Sequence, residues 1–80
     1  MAVSKAQLRT LRLLNRQAAQ RVYPSQRSAG DYVWVHEQSS LALTATLHRL
    51  ISSGHATLRP DNRDMAVITA KGRAALAMAA

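Results

Sequence analysis

Any chemistry in this chain of 80 residues must rest on three histidines, four acids and eleven Lys and Arg residues. A metal or hydrolytic centre needs such side chains in fixed constellations. His36, His48 and His55 have neither an H-E-x-x-H arrangement nor the i, i+4 spacing that turns two imidazoles to one ion. The acids are Asp31, Glu37, Asp61 and Asp64, and the last two sit in a turn, where Asp is at home bonding its own backbone. Cysteine is absent, which removes disulfides and thiolate ligands. No Gly-rich phosphate loop and no Ser-His-Asp ordering occurs. No catalytic centre, metal or cofactor is therefore expected, and the chain reads as a non-enzyme.

The basic residues are the stronger signal. The formal net charge is +7, which points to a polyanion: nucleic acid first, an acidic protein second, an anionic membrane surface third. Nine of the basic residues are Arg and two are Lys, and guanidinium forks suit phosphate and guanine. The N-terminus "MAVSKAQLRT" has no apolar core of a leader, and no apolar run approaches a membrane span. A cytoplasmic protein with no membrane contact is expected. Trp34, the single Trp, reads as a core residue, because one aromatic makes no stacking platform.

The elements that must position these cations follow from periodicity. The length suits a single domain over residues 1–80 with a thin core. Ser4 and Gln7 form a capping box for a first helix. Its apolar stripe is Leu8, Leu11, Leu14, Ala18 and Val22, and Tyr23-Pro24 ends it. Arg9, Arg12 and Arg16 share another, solvated face. A loop is expected at "PSQRSAGD" and a strand in "DYVWVHE", centred on Val33–Val35.

A second helix is expected over 41–53, capped by Ser39 or Ser40 and closed by Gly54. It buries Leu43, Leu47, Leu50 and Ile51, and turns Leu41, Ala45, His48, Arg49 and Ser52 outward. "HATLRP" and "DMAVITA" read as two strands around the turn "PDNRD". Thr69 caps a last helix, "KGRAALAMAA", whose Gly lowers helix propensity. The expected core is Leu11, Leu14, Trp34, Leu43, Leu47, Leu50, Val67 and Leu76. The fold class is α+β, ordered helix-strand-helix-strand-strand-helix, with a three-stranded antiparallel sheet.

Over residues 43–76 the order of short motifs adds a further pointer. Leu50 to Gly54 closes a helix, Arg59 lies on the next strand, and Asp61-x-Arg63 stands at the turn. The second strand then runs into Thr69-x-x-Gly72-Arg73. In this the chain resembles the winged helix-turn-helix family, most closely the MarR-like and PadR-like transcriptional regulators. The resemblance implies a small winged helix that binds double-stranded DNA, with helix 41–53 in the major groove and the wing 59–64 on backbone or minor groove. By position, Thr44, His48 and Arg49 would face DNA from the helix, and Arg59, Asn62 and Arg63 from the wing. Ser40, at the helix start, would hold a phosphate.

The sequence also departs from the family. Only "HEQSS" stands where a further helix would precede the recognition helix. Ala42 and Ala45 replace polar base-reading positions, which implies modest sequence preference. The family's long dimerisation helices are missing, so a homodimer is expected to form through the first helix or the apolar tail "AALAMAA". No small-molecule ligand is evident. The alternative reading is a winged-helix interaction module for an acidic protein, without DNA binding.

Overall fold

The computed structural model of the chain describes residues 3–23, 32–39 and 42–79. The expected loop at 24–31, Asp31, Ser40 and Leu41 lie outside the described residues. In chain order the elements are α1 (Lys5–Arg16), β1 (Ala19–Val22), β2 (Val33–Val35), α2 (Thr44–Ser52), β3 (Ala56–Leu58), β4 (Met65–Ile68) and α3 (Ala70–Ala79).

The capping box at the start of α1 is present. Gln7 N donates to Ser4 Oγ at 3.1 Å, and Ser4 N donates to Gln7 Oε1 at 2.8 Å. Leu11 and Leu14 face the core as expected. The helix nevertheless ends at Arg16, six residues before Val22, with Gln17 extended at φ −161 and ψ 164. His36 supplies the reason at the C-terminus. Its Nε2 lies 2.8 Å from Leu13 O and 3.1 Å from Gln17 O, while Gln38 N donates to its Nδ1 at 3.0 Å. The buried ring thus satisfies the Gln17 carbonyl, which a longer helix would have bonded internally. It also adds a second partner to the Leu13 carbonyl, which already accepts from Gln17 N at 3.2 Å.

Residues 19–22, expected as helix, instead form a strand, so the sheet has four strands rather than three. Its order is β2-β1-β4-β3 and every pair is antiparallel. Pairing on both sides of β1 outweighs a weak local helix preference. Ala19, opposite Ala66, is fully buried, which a larger residue would not permit.

One face of the sheet presents Ala19, Trp34, Ala56, Ala66 and Ile68 to Leu11, Leu14, Leu43, Leu47 and Leu50 of the helical layer. The other face carries Val22 opposite Val33 and Gln20 between Val35 and Met65. No described element covers that face. Val67 belongs to it, contrary to expectation, because strand alternation turns Ala66 and Ile68 inward. Leu76 packs at the rim of the core and stays partly exposed.

The start of α2 also differs from expectation. Thr44, not residue 41, opens the helix, and Leu43 caps it without a side-chain bond. Docking on β2 replaces the cap: Leu43 N donates to Trp34 O at 2.7 Å, and Trp34 N donates to Thr44 Oγ1 at 3.1 Å. At the other end Gly54 adopts φ 85, a conformation that favours glycine. Gly54 N and His55 N donate to Ile51 O and Leu50 O at 3.1 and 2.9 Å, a Schellman closure. Thr69 Oγ1 accepts from Gly72 N at 3.2 Å and so caps α3. Gly72 is buried because a Cβ there would stand 2.3 Å from His55 O and 2.6 Å from Ile68 Cγ1. It is a packing requirement, not merely a cost in helix propensity.

Candidate nucleic-acid interface

The exposed face of α2 consists of Ala45, His48, Arg49 and Ser52. Arg49 has no hydrogen-bond or ion-pair partner among the described residues, so its guanidinium is free to meet an anion. His48 is held. Its Nε2 shares a 3.1 Å hydrogen bond with Tyr32 OH, and the two rings meet edge to face at 5.8 Å. That contact begins a chain of interactions leading away from the helix.

Tyr32 stands 6.0 Å from Tyr23, also edge to face. The Arg21 guanidinium lies over three rings, 5.2 Å from Tyr32, 5.4 Å from Trp34 and 5.9 Å from Tyr23. Its Nη2 and Nε both reach Asp64 Oδ1 at 3.0 Å, and its backbone N donates to Asp64 O at 2.8 Å. Helix α2 is thereby tied through Tyr32 and Arg21 to the base of the β3–β4 turn. Arg21, Tyr23 and Tyr32 were not among the residues expected at the site. A strand reading of "AQRV" would have placed Arg21 across from Trp34 and made the cluster visible.

The turn itself is a hairpin, as expected. Arg59 N donates to Met65 O at 2.9 Å, and Asp64 N donates to Asn62 Oδ1 at 3.0 Å. Arg59 is not a free cation. It forms a forked pair with Asp61 through Nε–Oδ1 at 3.0 Å and Nη2–Oδ2 at 2.6 Å. Those hydrogen bonds from Arg59 hold the Asp61 carboxyl below the usual carboxylate range. Arg63 is exposed and has no partner among the described residues.

The seven residues expected to face DNA therefore separate. His48, Arg49 and Arg63 keep exposed side chains, and Asn62 keeps its amide nitrogen while its oxygen holds the turn. Thr44 does not qualify: it is half-buried and its hydroxyl accepts from Trp34 N. Arg59 is committed to Asp61, and Ser40 lies outside the described residues.

Among the described residues Ser53 and His55 are the nearest approach to a reactive pair, with Ser53 Oγ 2.6 Å from His55 Nδ1. Ser53 Oγ also donates to Leu50 O at 3.1 Å, so its proton serves the end of α2. Among the described residues no helix is long and apolar enough to cross a membrane. No known protein family, curated protein or solved structure matches the chain.

Proposed function

We propose that this chain is a winged-helix module that binds double-stranded DNA, with the exposed face of α2 in the major groove and the β3–β4 turn on the backbone or minor groove. The observation that carries this reading is the path from His48 through Tyr32 and Arg21 to Asp64, which fixes helix and turn relative to one another. A rigid pair of elements with an unpaired Arg on each is what a groove and its flanking phosphates require. In this reading the antiparallel pair of β1 and β2 takes the role of the helix that precedes the recognition helix in winged-helix proteins. Ala45 on α2 and Ala42 just before it leave little to read base edges, so the module is a small regulator or DNA-associated protein with modest sequence preference. A second copy binds through the groove between α1 and α3, where Val3, Leu8 and the 88 % exposed Met78 are apolar; sedimentation that finds only monomer, with and without duplex, removes this part.

Anisotropy titration of random-sequence duplex at two salt concentrations tests the main reading. Retention in low salt should fall steeply as salt rises. Arg49→Ala should weaken binding by ~1–3 kcal/mol and relax any preference, and Arg63→Ala should weaken all duplexes alike. No retention in low salt, or no effect of either substitution, would favour an acidic protein partner instead.

A further inference from the structure

We propose that the outer ridge of α1 is a second phosphate-binding surface, engaging the backbone of the same duplex beside α2; this rests on the duplex-binding reading above. Lys5, Arg9, Arg12 and Arg16 recur at spacings of four, three and four, and all four are exposed. The helix contains no acid. Lys5, Arg9 and Arg12 have no polar partner among the described residues, and Arg16 reaches only the neutral Gln38, at 3.2 Å. Glu37, near that end, accepts instead from Gln17 at 2.8 Å.

Apart from Arg16, which suits the dipole at the last turn, this arrangement does little for the helix that carries it. Like charges three and four apart repel across one face. Lys5 in the first turn also opposes the helix dipole, which would favour an acid there. A ridge that repels itself and forms no ion pair among the described residues is relieved by an external polyanion. The ridge adjoins the proposed site, because Arg9 lines a groove shared with Ala42 and Thr46 beside α2. From Lys5 to Arg16 it runs about 16 Å at the rise of an α-helix, and a duplex presents roughly nine phosphates over that length. A membrane surface fits less well: Leu11 and Leu14 on the opposite face are buried in the core and unavailable to lipid.

The test is the slope of log affinity against log salt on a random 20-base-pair duplex, for wild type, an R9Q/R12Q/R16Q variant and an R9K/R12K/R16K variant. Gln and Lys both sustain helices, and circular dichroism verifies the fold. The glutamine variant should lose about two to three units of slope, and the lysine variant should keep it. An unchanged slope in the glutamine variant overturns the ridge proposal and leaves the reading of α2 and the turn standing. Absence of wild-type binding to duplex, or preferential retention of polyglutamate, overturns both.

Discussion

The β3–β4 turn and the ridge of α1 both display arginines, and they treat them in opposite ways. Residues 59–64 hold two Arg and two Asp, and each Asp is engaged: Asp61 by Arg59, Asp64 by Arg21 of the neighbouring strand. The turn is close to neutral, with Arg63 its one cation lacking a partner among the described residues. The ridge has four cations, no acid of its own and a neutral amide as its nearest partner. Position in the family pattern ranks the turn as the reaching element, and helical periodicity ranks the ridge as a solvated face. Pairing reverses that ranking. What matters for a polyanion is charge left unspent after the fold has made its own bonds.

The strongest way to break this contrast is to remove the scaffold both regions share. Leu47 is fully buried beneath α2, and Leu47→Ala should cost about 2–5 kcal/mol in chemical denaturation. Binding through α2 and through α1 should then fall together. Gly72→Ala should cost less, about 1–3 kcal/mol by overpacking, because the new methyl meets the backbone oxygen of His55 at 2.3 Å rather than a yielding side chain. A Tm no lower than wild type would show that α3 can move away from His55 and β4 freely.

A third substitution separates the regions. Arg21→Met keeps an apolar stem beside Trp34 but removes the charge that holds Asp64. Stability should drop by about 1 kcal/mol, since the ion pair is partly open to solvent. Hydrogen exchange should quicken at the amides of Arg59 and Met65, which donate to Met65 O and to Asn62 O in the turn. The slope contributed by α1 should not change. Equal exchange in wild type and variant would mean that the hairpin needs no anchor on β1.

Much of the fold is legible locally. The box at Ser4 and Gln7, the buried face of α2, the left-handed Gly54, the hairpin and the Thr69 cap each follow from residues within a few positions. The errors come where a distant partner decides. Ala18 and Val22 have a spacing that suits a helix, yet residues 19–22 extend because Ala66 and Val33 are available to pair with them, far along the chain. Thr44 lies in the first turn of α2, where its hydroxyl can meet a strand N–H rather than solvent. In the proposed site, the exposure of Arg49 and Arg63 follows from their positions on helix and turn alone. The cluster of Arg21, Tyr23 and Tyr32 does not, because it depends on β1, whose local spacing suits a helix and whose partner β2 lies far along the chain.

The smallest expected effect sharpens the comparison most, since it turns the spent turn into an unspent one. Asp61→Asn removes the forked acceptor of Arg59 and leaves an amide that cannot hold the guanidinium by charge. Both side chains of that pair are well exposed, so stability should barely move. The freed Arg59 should steepen the salt slope of duplex binding by about one unit. Protonating Asp61 in the wild type would release Arg59 in the same way. Because folding lowers the carboxyl below its ordinary 3.8, any stability from the pair is complete above that unfolded-state value and is lost as pH falls through the folded one. Between pH 6 and 8 the Arg59–Asp61 pair should therefore add no pH dependence to binding, and the Asn variant should differ from wild type by a constant slope. A variant whose slope equals wild type would show that Arg59 points away from the duplex even when released, leaving Arg63 as the one cation the turn supplies.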